Sequence, residues 1–223
     1  MLQRYNMKVG VLIPTRGDRA ELLEFALKQL KRQTRKPDII QIVNDPPVSQ
    51  DKDITWRYRI GCERIFTQDV DVAILIEDDD WYDATYIERL VEEFEKAGKP
   101  EIFGIEETTY YHLGVKAYSE EVHKGRASAM STLLTRAVLD MQWPNDNYVF
   151  TDIEFWKKLK GKTVLFERLL SLGIKHGIGL TGGIGHNAKW GGYNKKDPDM
   201  EWLKKTVDEE SFEFYKKLAD RIK

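Results

Sequence analysis

In the first hundred residues, segments with two different patterns of apolar and polar positions alternate along the chain. Short, largely β-branched apolar runs at residues 9–13, 39–43 and 70–76 end in proline, asparagine or acidic residues and predict buried strands. Between them, apolar residues recur at helical spacing, and residues 54–66 predict a further helix. The alternation of strands and helices favours a parallel sheet with helices on both faces. The helical positions are Leu23, Ala26, Leu27 and Leu30 in the first helix, and Ile87, Leu90, Val91 and Phe94 in the third, which the breaker Gly98 ends.

The second half of the chain has a different pattern. Residues 101–138 predict irregular strands, and a closing helix carries Phe212, Tyr215 and Ala219 on one side. Seven of the nineteen residues 175–193 are glycine, a composition typical of a mobile loop.

Two helix starts are expected from capping-box patterns, in which a short polar side chain is followed three residues later by an acid. Asp18 with Glu21 predicts the start of the first helix, and Thr151 with Glu154 predicts a helix start in the second half.

Composition narrows the class of protein. A chain of 223 residues with 41% hydrophobic content can bury a full core in one domain. Its 35 basic and 37 acidic residues leave a net charge of −2. The net charge of the chain therefore gives no indication that it binds nucleic acid or a membrane surface. The single cysteine, Cys62, excludes an internal disulfide and a cysteine metal cluster. With no transmembrane segment or signal peptide expected, the interpretation is a soluble cytoplasmic protein whose membrane contact, if any, is peripheral.

Polar and acidic residues follow all three predicted strands, at residues 15–18, 44–45 and 77–80. In open α/β sheets, ligands bind beyond the carboxyl ends of the strands, where these groups would meet. A divalent cation would relieve their mutual repulsion, and oxygen ligands suit Mg²⁺ or Mn²⁺ bound to a phosphorylated molecule. The alternative is a solvated turn in which Asp80 or Asp83 caps the next helix.

Four stretches together resemble one protein family over about residues 9–160: "VLIPTRGDRAELLEFALKQL", "IIQIVND", "ILIEDDDWYDATYIERL" and "MSTLLTRAVLDMQWPNDNYVFTDIEFWKKL". They resemble the family 2 glycosyltransferases of the GT-A fold, within the nucleotide-diphospho-sugar transferase superfamily. The resemblance implies an α/β fold with a Rossmann-like, mostly parallel central sheet flanked by helices, and a smaller extension on the acceptor side. It implies a single domain over residues 1–223, in which residues 1–100 bind the nucleotide sugar and residues 101–223 bind the acceptor, with a glycine-rich lid at 177–197.

The resemblance also implies a set of donor-binding and metal-binding residues. Asp78 and Asp80 would form the DxD pair that binds the metal ion, and Asp78 would also contact the donor. An equally fair alignment gives Glu77 and Asp79 as the DxD pair. A basic residue before the third strand would neutralise the diphosphate, and among Arg57, Arg59 and Arg64 we favour Arg59. The remaining expected contacts are Pro14, Thr15 and Arg16 against the nucleotide, Asp45 on the base, His186 as third metal ligand, and Lys189 and Trp190 on the lid.

The expected catalytic base is Asp152 in "FTDIEFW", with Glu154 as the fallback. It would deprotonate the acceptor hydroxyl, which then attacks the anomeric carbon in line. The sequence departs from the family pattern at Thr151, which stands where the family has the first acid of a pair. A carboxylate at a helix start also has a purely structural explanation through the helix dipole.

The resemblance therefore implies an inverting, hexosyltransferase-type enzyme that uses Mn²⁺ or Mg²⁺ to move a sugar from a nucleotide diphosphate, a UDP-sugar, to an acceptor hydroxyl. A nucleotidyltransferase and a non-catalytic nucleotide-sugar binder stay open as alternatives. The acceptor could be a glycan, a lipid-linked sugar, a protein or a modified base in phage-type DNA. The sequence does not indicate the oligomeric state.

Overall fold

The computed structural model describes residues 7–45, 52–177 and 192–222. Its first sheet has six strands, in the spatial order β2 (Ile39–Val43), β1 (Val9–Pro14), β3 (Val72–Leu75), β8 (Thr132–Thr135), β5 (Ile102–Ile105) and β9 (Gly161–Val164). Three of the five pairings are parallel: β1 with β2, β1 with β3, and β5 with β9. β8 is antiparallel to both its neighbours. The expected α/β fold with a central, mostly parallel sheet is confirmed.

Helices cover both faces of this sheet: α1 (Ala20–Arg32) and α3 (Tyr86–Lys96) pack on one face, and α2 (Ile54–Ile65) and α4 (Thr151–Lys158) on the other. The described part of the chain has two more α-helices, α5 (Glu201–Thr206) and α6 (Glu209–Arg221). Successive side chains of β1 point to opposite faces of the sheet and so belong to different hydrophobic clusters. Val11 packs with α3 on one face, and Leu12 packs with α2 on the other. Gly61 permits the close approach of α2, since a Cβ there would lie 2.3 Å from the Leu12 Cδ1 atom.

A second sheet of five strands continues from the acidic run. Its order is β11 (Lys195–Lys196), β7 (Ala117–Val122), β6 (Glu107–His112), β10 (Ser171–Lys175) and β4 (Trp81–Tyr82). One face packs on α5 and α6 through Tyr111, Leu172 and Ile174. Because β4 directly follows the acidic run and pairs with β10, the second sheet brings the end of β10 beside the carboxyl end of β3.

α1 begins at Ala20 and α4 at Thr151, close to the two predicted helix starts, but both predicted capping boxes are wrong. The N-cap of α1 is Arg19, and that of α4 is Phe150, with no side-chain cap at either helix. Arg19 turns its guanidinium to the acidic run, and the hydroxyl of Thr151 bonds that of Thr55 on α2. Tertiary contacts therefore override the local capping pattern.

Strand and helix positions otherwise follow the sequence pattern, with shifts of one or two residues at the ends of β1 and β3. The predicted stop at Gly98 is confirmed by its φ of +85° directly after α3. Across the three described ranges, no helix combines the length and the apolar character needed to cross a bilayer.

Candidate functional site

The acidic run after β3 is buried. Asp78, Asp79 and Asp80 are only 3%, 8% and 0% exposed, so a solvated turn is the wrong description of these three residues. The predicted capping of the next helix by Asp80 or Asp83 is also wrong, because the N-cap of α3 is Thr85 and no side chain caps this helix. Asp83 instead accepts hydrogen bonds from the Thr85 backbone and hydroxyl at 2.8 and 2.6 Å, in the turn before the helix. Buried carboxylates need partners, because desolvation strongly disfavours an isolated charge.

Each of the three aspartates has a different set of partners. Asp78 accepts hydrogen bonds from the Thr15 hydroxyl at 2.6 Å and from Arg19 at 2.7 Å. Asp79 pairs with the same guanidinium at 2.8 Å and with the Nε2 atom of His176 at 2.9 Å. The Oδ1 atom of Asp80 accepts from the backbone N–H of Ile174 at 2.7 Å. Arg19 thus bridges two aspartates.

Three carboxylates of this run converge on one point. Glu77, Asp79 and Asp80 each bring an oxygen within 4.8 Å of the others, an arrangement that could hold a metal ion. Asp78 is not in this group. The predicted pairing of Asp78 with Asp80 on a metal remains a prediction, as does the alternative pairing of Glu77 with Asp79.

The charges around Asp80 are not fully balanced. Its Oδ2 atom is buried and makes no hydrogen bond within the described part of the chain. Burial, reinforced by Glu77 and Asp79, holds the pKa of Asp80 well above its usual range. Burial and the neighbouring Asp79 likewise raise the pKa of Asp78 to about 6. Burial opposes the ionisation of Asp79 too, but its hydrogen bond with His176 and the charge of Arg19 lower its pKa.

A divalent cation fits this set of residues. Within the described part of the chain, the four carboxylates of residues 77–80 lie beside the cations Arg19 and Lys175 and the imidazole of His176, so ionised carboxylates outnumber the fixed positive charges. The orphaned Asp80 oxygen and the all-oxygen donor set are of the kind that Mg²⁺ and Mn²⁺ prefer.

Lys175 is one of these cations, and sequence reasoning missed it. Its side chain ends β10, and the Nζ atom lies 5.1 Å from the ring centroid of Tyr110. Burial acts to lower the pKa of Lys175, but the carboxylates of Asp80 and Glu77 outweigh it and raise the pKa. The lysine is therefore a fixed positive charge beside the acidic run.

Arg57, considered for the diphosphate but not chosen, organises the ends of β1 and β2. It is 1% exposed and donates to the backbone carbonyls of Thr15, Val43 and Asp45 at 2.6, 3.1 and 2.9 Å. Its Nη2 atom pairs with Asp53 at 2.7 Å, whereas its buried Nε atom makes no hydrogen bond within the described residues. Because its Nη1 atom donates to carbonyls at both strand ends, Arg57 ties the end of β1 to the end of β2.

Pro14, Arg16 and Asp45 lie at or just beyond the ends of β1 and β2. Pro14 ends β1, and Arg16 forms an ion pair with Asp18 at 3.7 Å. Asp45 pairs with Arg64 on α2. Arg59, the favoured diphosphate residue, pairs with Asp146 at 3.0 Å, and its contact with a ligand stays a prediction. His186, Lys189 and Trp190 lie outside the described residues.

Asp152 lies in the first turn of α4, near the acidic run. Burial raises the pKa of Asp152 to about 6, although Arg126 lies 3.5 Å away, and Glu77 also raises it. Tyr58 lies close to both acids: its hydroxyl is 3.4 Å from the Glu77 carboxylate, and its pKa is raised by burial and by the charges of Glu77 and Asp152. Asp152, Glu77 and Tyr58 therefore belong to one site.

The fallback base has different surroundings. Glu154 forms ion pairs with Lys157 at 2.9 Å and Lys158 at 3.4 Å, and hydrogen bonds from these lysines lower its pKa. Thr151 is buried against Thr55, so the position where the family has its first acid is a packing position in this chain.

The architecture is that of a GT-A-like fold: parallel strands whose carboxyl ends meet an acidic run, joined to a second sheet. Solved structures with this fold include S. aureus TarS, with a TM-score of 0.53 and 8% identity over 75% of this chain and 37% of that chain. TarS 1–349 in complex with UDP-GlcNAc gives a TM-score of 0.54 and 9% identity over 82% of this chain and 62% of that chain. TarS 1–349 in complex with UDP gives a TM-score of 0.53 and 9% identity over 75% of this chain and 60% of that chain.

These likenesses show the fold, and this chain spans 37% to 62% of the length of these three TarS structures. No protein-family model and no curated protein matches the sequence. Membership of family 2 therefore stays a prediction.

Proposed function

We propose that this protein is a glycosyltransferase that moves a sugar from a nucleotide diphosphate, a UDP-sugar, to an acceptor hydroxyl with inversion. The observation that carries the proposal is the convergence of Glu77, Asp79 and Asp80 on one point at the end of β3, with an unpaired buried oxygen on Asp80. The GT-A-like fold supports it, because solved structures of this fold include TarS complexes with UDP and UDP-GlcNAc.

Glu77, Asp79 and Asp80 would hold the Mn²⁺ or Mg²⁺ ion. The ion would act as a Lewis acid that neutralises the charge on the leaving diphosphate. Asp78 has a different part: by accepting from Thr15 and Arg19 it joins the end of β1 to the acidic run. His186 is kept as a further candidate ligand on the resemblance alone.

The donor would lie across the ends of β1, β2 and β3. Arg57 fixes the backbone of Thr15 and Asp45, the residues expected on the nucleotide and its base. The positive charges of Arg19 and Lys175 lie beside the acidic run and are placed to stabilise a diphosphate near it. Hexosyl transfer is proposed from the resemblance.

Asp152 would accept the proton of the attacking hydroxyl. A pKa raised to about 6 makes the carboxylate more basic than an ordinary aspartate while leaving it ionised at neutral pH. Arg126, 3.5 Å from its Oδ2 atom, holds the carboxylate in place. A single displacement with one base inverts the configuration at the anomeric carbon.

The test is the release of nucleoside diphosphate from a panel of nucleotide sugars, with Mn²⁺ and with a chelator. We expect metal-dependent turnover of a UDP-sugar in the wild type and its loss in Asp152→Asn, which should still bind UDP. Glu154→Gln is the matched control and should retain turnover, because Glu154 pairs with lysines on its own helix. Binding without turnover of any donor would favour a non-catalytic binder. Cleavage between the phosphates that requires added pyrophosphate, and that yields a nucleoside triphosphate and a sugar 1-phosphate, would favour a nucleotidyltransferase.

A further inference from the structure

A cavity lies at the second sheet, at the opposite end of β10 from Lys175. Its volume is about 300 Å³, at the lower end of the range for small-molecule sites. The first residues of β6 and β10, the segment 166–170 and α5 line it. Among its lining residues are none of the groups assigned above to the donor, the metal or the base.

The walls of this cavity are aromatic and acidic. Trp202 and Phe166 supply rings, and the carboxylates are those of Glu107, Glu120 and Glu167. Trp202 is held rigidly, because its ring stacks on Tyr118 with centroids 3.8 Å apart and an interplanar angle of 13°. A fixed indole beside carboxylates favours a positively charged ligand over a neutral or anionic one.

The charges of the cavity are only partly compensated. Arg168 is committed to Asp83 through two hydrogen bonds of 2.9 and 2.8 Å. Glu120 pairs with Lys195. Glu107 and Glu167 form no ion pair with any residue in the described ranges, so two carboxylates stay available to a cation.

Thr109 adds a neutral polar group to the wall of the cavity. A threonine hydroxyl can accept a hydrogen bond from a donor group bound there.

We infer that this cavity binds an organic cation: a primary ammonium group on an aliphatic stem. The stem would pack on the Trp202 ring, and the ammonium would donate to Thr109 and to the carboxylates of Glu107 and Glu167. A free diamine and a lysine side chain share this chemistry. The inference does not depend on the proposed transferase activity.

The test uses two-dimensional NMR of the full chain and follows the indole N–H signal of Trp202, assigned with Trp202→Phe. The probes are cadaverine for a free diamine, Nα-acetyl-lysine amide for a lysine side chain, and 1,5-pentanediol and N-acetylglucosamine as neutral molecules. We expect saturable shifts with one or both amines, which also identifies the source, and none with the neutral molecules.

The variant Glu107→Gln/Glu167→Gln should weaken amine binding at least tenfold, whereas Glu213→Gln, on an exposed position of α6, should not. Thr109→Val keeps the side-chain shape and should also weaken binding. The inference is overturned if pentanediol or N-acetylglucosamine shifts the signal as strongly as the amines, if no probe shifts it, or if the double variant binds the amines unchanged.

Discussion

Replacement of Asp152 by asparagine should stabilise the fold at neutral pH while it removes the proposed base. Burial raises the pKa of Asp152 to about 6 from an ordinary value of 3.8, despite the nearby Arg126. When the pKa of an acid is higher in the folded than in the unfolded state, the acid does not reduce stability at pH values below its unfolded-state pKa. Stability is then lost as the pH rises through the folded-state pKa, because the folded protein must give up a proton that it holds more tightly. At 1.36 kcal/mol per pKa unit, the full loss is about 3 kcal/mol. The side chain is 20% exposed, so this figure is an upper bound.

The assay is urea denaturation of the wild type and Asp152→Asn at two pH values. The gain in the free energy of unfolding should be larger at pH about 7.5 than at pH about 4.5, by up to about 2 kcal/mol. Glu154→Gln is the control: because the pKa of Glu154 is lowered by its lysine partners, this variant should not gain stability as the pH rises. An equal gain for Asp152→Asn at both pH values would refute the argument that this carboxylate is desolvated.

Two further predictions concern the scaffold of the site, both measured by urea denaturation. Arg57→Met should lower the free energy of unfolding by about 3–5 kcal/mol, because it leaves the charge of Asp53 buried and unpaired. Arg59→Ala removes a partly exposed ion pair and should lower the free energy of unfolding by less than about 1 kcal/mol. Similar losses for the two variants would contradict the role of Arg57. Gly61→Ala should destabilise the fold by about 1–3 kcal/mol, because the added Cβ would lie 2.3 Å from the Leu12 Cδ1 atom. An unchanged denaturation midpoint would show that α2 can move away from β1 at little cost.

Three strands of the first sheet, β1 to β3, could be predicted from the sequence because their signals are local. Each of these strands is a short apolar run, and the strand-end rule placed Thr15 and the acidic run at one edge, where Thr15 donates to Asp78. β9, with the sequence GKTV, is not an apolar run and has no such signal. The second sheet could not be predicted in this way. β4 has two residues, and β6 pairs in parallel with β10 across a long sequence separation.

The counter-charges of the site were missed for the same reason. Arg19 looked like part of a helix start, and Lys175 and His176 like the beginning of a glycine-rich loop. The pairing of β10 with β4, the strand that follows the acidic run, brings Lys175 and His176 to this run. Arg19 reaches Asp78 and Asp79 from the turn between β1 and α1. The run "SLGIKHG" did carry a signal, because it is a short strand that ends in polar residues, the same pattern that identified the other three strand ends.

The most direct test of the central claim is a calorimetric titration of UDP into the protein with Mn²⁺ and with a chelator. The account predicts binding with Mn²⁺, at least tenfold weaker binding with the chelator, and the same loss in Asp79→Asn/Asp80→Asn, for which thermal unfolding establishes that the variant is folded. UDP binding that is equally strong without the metal and in the variant would contradict the assignment of Glu77, Asp79 and Asp80. Absence of UDP binding under both conditions would contradict the proposed nucleotide-sugar site itself.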